Sequence, residues 1–157
     1  MKRLLLWVVG VVFLLAVTGS MAMAATETSS LSVSASVSNG CRMVSVTDIT
    51  FSNPYEPVDP TDNDSGAGDF SFRCTRDTSY NLYIAGTRQM TDGTDNLNYE
   101  LYKNAGRTTA WESTNPASPT VSPNNSPVTK DVFGRIVALQ NVRAGAYTGT
   151  VTVTVEY

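Results

Sequence analysis

Residues 31–38 read Leu-Ser-Val-Ser-Ala-Ser-Val-Ser, so that apolar residues occupy every odd position and serine every even one. Successive side chains of a β-strand point to opposite faces, and this period of two predicts a strand with one dry face and one wet face. The stretch contains no charged residue, no proline and no glycine. Asn39-Gly40 follows as a turn or hinge, because both residues tolerate positive φ.

The first 24 residues have the features of a secretion signal. Lys2 and Arg3 give a positive start, residues 4–17 are apolar apart from one glycine, and Ala22-Met23-Ala24 is a small-x-small cleavage site. A retained membrane anchor is the alternative, but the apolar run is short of the about 20 residues that a spanning helix needs. Residues 25–157 then suffice for one domain with a single core.

The chain has two cysteines, Cys41 and Cys74. In an exported protein an even number of cysteines favours a disulfide, which for a loop of this length contributes roughly 3.5 kcal/mol. Two free buried thiols are the alternative. Two cysteines without any histidine do not make a usual zinc site.

After the hinge the chain reads as a series of short strands separated by turns. The predicted strands cover residues 41–51, 70–74, 80–84, 97–101, 107–111, 128–139 and 147–157, with surface loops at 53–68 and 113–127. In the first of them the apolar phase changes, and a bulge near Thr47-Asp48 would place Val44 and Val46 inside together with Ile49 and Phe51. No helical periodicity follows residue 24, and the spacing of the turns predicts a β-sandwich.

The sequence lacks the residues that several classes of function require. The absence of histidine removes histidine acid–base catalysis and Ser-His triads, and no glycine-rich phosphate loop is present. The acidic residues of 53–68 do not have the spacing of a calcium-binding EF-hand loop, and a solvated loop is the preferred interpretation. With a net charge of −3 and no basic patch, nucleic acid is not an expected partner. We therefore predict no enzyme, no cofactor and no metal.

The two clean strands at the two ends of the mature chain, 31–37 and 151–155, have no charge, proline or bulge to protect an edge. They pair with each other in one sandwich, or the last strand borders a groove that a neighbour's first strand fills. Because Cys41 follows Asn39-Gly40 directly, the short hinge favours a strand that projects away from its own domain. A hairpin turning at Asn39-Gly40 is the alternative.

The order of several motifs resembles the spore coat U domain family. These motifs are Phe51-x-x-x-Tyr55-x-Pro57, Phe72-x-Cys74, Gly86, Arg88-x-Met90, Leu97-x-Tyr99-x-Leu101-Tyr102, Trp111, Phe133-Gly134-Arg135-Ile136, Gly145-x-Tyr147 and the ending Val151-Thr152-Val153-Thr154-Val155-Glu156-Tyr157. The resemblance covers about residues 41–157. The sequence departs from it at Ser52, where glycine is expected, and in the proline-rich loop 113–127.

The family includes major subunits of archaic chaperone–usher pili. The resemblance thus implies an incomplete immunoglobulin-like β-sandwich of the pilin type that lacks its last strand and carries an N-terminal donor strand. After the signal peptide at 1–24, it implies a donor extension at 25–40 and a pilin-like domain at 41–157. The expected partners are a periplasmic chaperone, an outer-membrane usher and further subunits in a linear polymer at the cell surface, serving adhesion and biofilm formation.

The resemblance also assigns roles to individual residues. The donor residues would be Leu31, Val33, Ala35 and Val37, and the disulfide Cys41–Cys74 would tie the first strand to the second. The acceptor groove would be lined by Val151, Val153 and Val155, and a basic pair of the chaperone would grip the terminal carboxylate at Tyr157. The competing hypothesis is a self-contained secreted sandwich, a coat or carbohydrate-binding protein, in which residues 31–37 complete their own fold.

Overall fold

The computed structural model describes residues 25–157, and the secretion signal predicted for residues 1–24 lies outside this range. The described residues form an all-β structure, in which we find no helix able to cross a membrane. The strands are β1 (Cys41–Phe51), β2 (Asn63–Cys74), β3 (Ser79–Ala85), β4 (Gln89–Thr91), β5 (Asn96–Asn98), β6 (Glu100–Tyr102), β7 (Thr120–Val121), β8 (Val128–Ile136) and β9 (Thr152–Glu156).

The strands form two main sheets and a small hairpin. One sheet has the order β1-β2-β8-β6 and the other the order β7-β3-β9, while β4 and β5 pair with each other. All of these pairings are antiparallel. Both main sheets are open, so each ends in strands with one unpaired edge.

The core lies between the apolar faces of the two sheets. In β2 the even positions point inward, and Phe70, Phe72 and Cys74 are buried as their alternation predicts. The ring of Phe72 lies 5.1 Å from that of Tyr80 on β3, which joins the two sheets. The other buried apolar residues are Ile84, Leu97, Tyr99, Leu101, Trp111, Val132 and Ile136.

The predicted bulge in β1 is confirmed, because the pairing with β2 shifts between Thr47 and Thr50. A second irregularity lies between Met43 and Ser45. The expectation that Val44 and Val46 are inside is wrong, since these side chains are 45% and 61% exposed. Val44 falls within the second irregularity. Val46 is exposed for a different reason, because β1 is an end strand with no neighbouring strand on its other side.

Several predicted strands differ from the observed ones, and three of them differ in how the chain is paired. The stretch 97–101 is divided between β5 and β6, which belong to different sheets, although its odd positions are buried as expected. Residues 107–111 form only an isolated bridge, in which Ala110 pairs with Tyr102. The last strand begins at Thr152 instead of residue 147, because Thr148 pairs with Thr91 of β4.

Two predicted loops also contain strands. β2 begins at Asn63, within the predicted loop 53–68, because backbone pairing there needs no apolar side chains. The ring of Phe51 occupies the space above Gly66 and Gly134, where an added Cβ would lie 2.6 and 2.8 Å from it. The loop 113–127 contains the two residues of β7.

The chain divides into two units between Ala35 and Ser36. Residues 25–40 contain no regular secondary structure, so the strand predicted for residues 31–37 is not formed in the single chain. A strand without a partner leaves its backbone N–H and C=O groups unpaired, so no interstrand hydrogen bonds stabilise it when it is alone. The hairpin that Asn39-Gly40 would allow is likewise not formed, since it requires a strand at 31–37.

Candidate functional site

Two of the unpaired sheet edges belong to β1 and β9. β1 is the end strand of the four-stranded sheet, and β9 is the end strand of the three-stranded sheet. Within residues 36–157, β1 pairs only with β2 and β9 pairs only with β3. Each edge therefore presents a row of backbone donors and acceptors that another strand can use.

The inner face of β1 is apolar but not covered. Val46 pairs directly with Phe70, and Met43 pairs with Phe72. Directly opposed residues of an antiparallel pair point to the same face, so Val46 and Met43 point toward the core like their partners. The partners are 1% exposed, whereas Val46 is 61% and Met43 36% exposed. Inward-facing apolar side chains with this exposure mark the place of a missing strand.

A cavity of about 480 Å³ lies between the two bare edges. Its wall on one side is residues 46–51 of β1, and on the other side it is residues 147–151 together with Val153. Its floor is formed by residues from both sheets and from the β4–β6 region, namely Phe70, Ile84, Met90, Tyr99 and Val132. The groove, as we call this cavity and its walls, is thus an opening in the hydrophobic core.

The sequence predicted part of this groove. Val151 and Val153 line it, and Val153 pairs with the buried Ile84. Val155 packs against the core without lining the cavity, and Tyr157 is 63% exposed. The positions of these residues do not reveal which partner they contact, so their roles as acceptor and chaperone contacts stay predictions.

Sequence reasoning missed one end of the groove. Met90, Tyr147 and Thr148 line it there, and they come from the β4–β5 hairpin and from the connection between β8 and β9. The continued alternation of Tyr147, Gly149 and Val151 was a signal for the second segment. No local pattern signals Met90, because its position depends on a tertiary contact.

The predicted disulfide between Cys41 and Cys74 is present. The two cysteines are opposed in the β1–β2 register, so the bond ties the first residue of β1 to the last residue of β2. Next to it, the backbone N–H of Thr75 donates a hydrogen bond of 2.8 Å to the carbonyl oxygen of Gly40. The chain is therefore fixed to the domain as far as Gly40, and only two residues separate this point from Val37.

The predicted donor residues are exposed. Leu31 and Val33 are each 89% exposed and Val37 is 86% exposed, and Ala35 is exposed as well. Exposed large apolar side chains in a regular row are costly in water and point to a binding segment. The structure contains no partner chain, so their role as donors remains a prediction.

The charges around the groove lie at its rim. Asp48 and Asp69 are among the lining residues, whereas the floor is apolar apart from the hydroxyl group of Tyr99. Burial raises the pKa of this hydroxyl group, which stays neutral. Residues 28–41 carry no charge.

Within residues 25–157 no group of three or more histidine, cysteine, aspartate or glutamate residues is placed to hold a metal ion.

Comparison with known proteins identifies the family. The model of the spore coat protein U domain matches residues 27–154, and the chain belongs to this family. No curated protein matches the chain.

Among solved structures, the fold is similar to that of a chain in the crystal structure of the CsuC–CsuE chaperone–tip adhesion subunit pre-assembly complex, from archaic chaperone–usher Csu pili of Acinetobacter baumannii. The TM-score is 0.52 and the sequence identity 24%, over 77% of this chain and 40% of that chain. The similarity at this identity is one of fold, and it spans less than half of the other chain.

Proposed function

We propose that the protein is a structural subunit of a cell-surface pilus, assembled by the chaperone–usher route through donor-strand complementation. In this process residues 31–37 of one subunit fill the groove of the next. The proposal rests above all on Val46, an apolar residue on the inner face of a sheet that no strand covers. The protein performs no catalysis in this role.

The N-terminal segment matches what the groove lacks. Its four apolar residues span seven positions, or about 20 Å as a strand. The groove wall from Tyr147 to Val153 is also seven residues long. Burial of Leu31, Val33 and Val37 stabilises the complex by roughly 1.5–3 kcal/mol each before ordering costs. A shift by one residue would place serines in the core, so the alternation excludes odd shifts.

The arrangement produces a fibre. The donor segment and the groove are different surfaces of one chain, so each subunit uses its groove for one neighbour and its donor segment for another. Such head-to-tail contacts build an open polymer unless their rotation closes a ring. The connection between Val37 and the fixed Gly40 is only two residues long, which supports the use of the segment by a neighbouring subunit.

An open groove needs protection before assembly. Bare edges of this kind lead to uncontrolled association, so we propose that a periplasmic chaperone covers the groove and that a basic pair on it binds the carboxylate of Tyr157. The similar structure named above is itself a complex of a chaperone with a subunit. An outer-membrane usher then exchanges the chaperone for the next subunit, and the pilus serves adhesion and biofilm formation at the cell surface.

Deletion of residues 25–38 tests this function. We expect the shortened chain to form no fibres in electron micrographs, because no donor is left. Deletion of residues 25–30 alone is the matched control and should leave fibres intact. In the full chain, Val33→Asp should also prevent or strongly weaken assembly, because it places a charge in an apolar groove. Fibres formed by the chain without residues 25–38 would refute the proposal.

A further inference from the structure

The groove wall formed by residues 147–151 is not part of a strand. It belongs to the connection between β8 and β9, which spans residues 137–151 and has no regular secondary structure apart from a bridge at Thr148. Within this connection only Val142, Tyr147 and Val151 pack against the core, and each is only partly buried. Apolar packing alone therefore holds this wall weakly.

Backbone contacts attach the wall to the β4–β5 hairpin. Thr91 and Thr148 exchange two backbone hydrogen bonds, in which N···O distances are 2.8 and 3.1 Å. Beside them Gly149 lies so close to β4 that an added Cβ would be 2.5 Å from the carbonyl oxygen of Gln89. The two segments that form this end of the groove thus contact each other directly.

An ion-paired cluster reinforces the attachment. Arg143 Nε lies 3.1 Å from Asp95 Oδ2 and 3.7 Å from Asp92 Oδ2. The backbone N–H of Arg143 donates a further hydrogen bond to Asp95, and the hydroxyl group of Tyr147 donates one to the carbonyl oxygen of Arg143. The cluster therefore connects the hairpin to Tyr147, a residue that lines the groove.

Asp92 is held in its charged form within this cluster. Its Oδ1 accepts hydrogen bonds from the backbone N–H groups of Asp95, at 2.7 Å, and of Thr94, at 2.8 Å. These bonds lower the pKa of the Asp92 carboxyl group, and Arg143 lowers it further. The hairpin turn thus presents a fixed carboxylate to the arginine.

The donor segment needs such a fixed end. Its apolar residues repeat every two positions, so a shift by two residues keeps three of the four apolar side chains in the groove and brings only Ser29 or Asn39 into it. Alternation excludes odd shifts only. Tyr147 and Thr148 form one end of the groove wall. Fixing this end distinguishes registers that differ by two residues, because it limits how far a strand extends.

We propose that Arg143, with Asp92 and Asp95, positions the wall at residues 147–151 and thereby fixes the register in which a donor strand seats. This inference rests on the proposed function. Arg143 is a positioning residue, since it acts through Tyr147 and Thr148, which line the groove.

Cysteine cross-linking measures the register directly. One chain carries a cysteine at Ser32, Ser34 or Ser36, and a second, co-expressed full chain carries Thr152→Cys on the exposed side of β9. We expect one of the three donor positions to cross-link much more than the others. With Arg143→Gln in the groove chain, this preference should fall about three- to tenfold, the range expected for two partly exposed ion pairs.

The controls separate positioning from general stability. Arg76→Gln removes an ion pair in which both side chains are more than 70% exposed, at a position that does not line the groove, and it should leave the preference unchanged. Arg143→Lys keeps the charge and should restore most of the preference. If Arg143→Gln prevents folding, Asp95→Asn provides the same test, because it removes the carboxylate nearest to Arg143.

The experiment distinguishes a failure of the positioning role from a failure of the proposed function. An unchanged preference in Arg143→Gln, or a preference lost equally in Arg76→Gln, would overturn the positioning role while leaving the proposed function intact. The absence of any cross-link between two chains that carry native Arg143 would instead count against the proposed function itself.

Discussion

At the scale of the residue, Val46 shows most clearly that the domain is incomplete. It points to the same side as Phe70, yet Phe70 is buried and Val46 is 61% exposed. A buried valine stabilises a fold by roughly 1.5–3 kcal/mol relative to an exposed one, and this contribution is not realised in the single chain. The residue therefore favours any partner that covers it.

Asp64 illustrates a residue whose role the sequence did not indicate. Its carboxylate accepts two hydrogen bonds from the guanidinium group of Arg135, at 2.7 and 2.9 Å, and lies 3.3 Å from Arg107 Nε. The acidic stretch that contains it was predicted to be a solvated loop, but here it pairs with β8. The hydrogen bonds from Arg135 lower the pKa of Asp64 below its ordinary value of 3.8.

We predict a pH-dependent effect of Asp64→Asn. A carboxyl group with a lowered pKa in the folded state contributes stability at pH values above its unfolded pKa, and this contribution is lost as the pH falls through the folded pKa. At pH 7 the variant should be less stable by about 0.5–1 kcal/mol, since the pair is partly exposed. Well below pH 3.8 the difference should shrink toward zero.

Urea unfolding at pH 7 and at about pH 2.5 measures this difference in the free energy of unfolding. Asp131→Asn is the control, because Asp131 is exposed and has no ion-pair partner among the described residues, and it should have little effect at either pH. A deficit for Asp64→Asn that is the same at both pH values would contradict the assignment.

At the scale of the element, β1 combines an anchored beginning with a bare edge. Its first residue is bonded to the end of β2 by the disulfide, and its middle is bulged between Thr47 and Thr50. Because β1 is paired on one side only, the disulfide supplies part of the stability that a second neighbouring strand would give.

We predict that replacing both Cys41 and Cys74 by alanine lowers the free energy of unfolding by about 2–4 kcal/mol, chiefly because the unfolded chain loses a constraint. Denaturant unfolding of the variant measures the loss, and reduction of the native protein should reproduce it. A change of less than about 1 kcal/mol in both cases would show that the β1–β2 pairing does not depend on the bond.

The elements also show what the sequence could predict. The buried faces of residues 70–74, 80–84 and 97–101 followed from alternation, because the direction of a side chain in a strand depends only on its position. The first half of β2 was not predictable in this way. Gly66 and Gly68 serve there as space for neighbours, and a Cβ on Gly68 would lie 2.8 Å from the carbonyl oxygen of Thr47.

The residues of the groove likewise divide into those that the sequence could predict and those that it could not. Val151 and Val153 were predictable because they lie in the alternating stretch of residues 147–157. Met90 and Tyr147 were not predicted, because the hairpin and the β8–β9 connection meet only in the folded domain. A sequence pattern indicates which face of a strand is buried, but it does not indicate which irregular segments close the end of a cavity.

At the scale of the whole molecule, the donor segment and the groove are complementary parts of one chain. The segment has an unused apolar row, and the domain has an unfilled core between two bare edges. Assembly into a fibre requires that these parts meet between chains and not within one.

A mixed cross-linking experiment tests this claim most directly. Two differently sized tagged chains are co-expressed, one with a single added cysteine at Ser34 and the other with Thr152→Cys, with Ser32 and Ser36 as neighbouring positions. We expect a disulfide-linked heterodimer on a non-reducing gel and no such product when either added cysteine is omitted. A single chain that carries both cysteines is tested in parallel. A link that forms only within this chain, at the mass of a monomer, would show that the segment fills its own groove and would contradict assembly between chains.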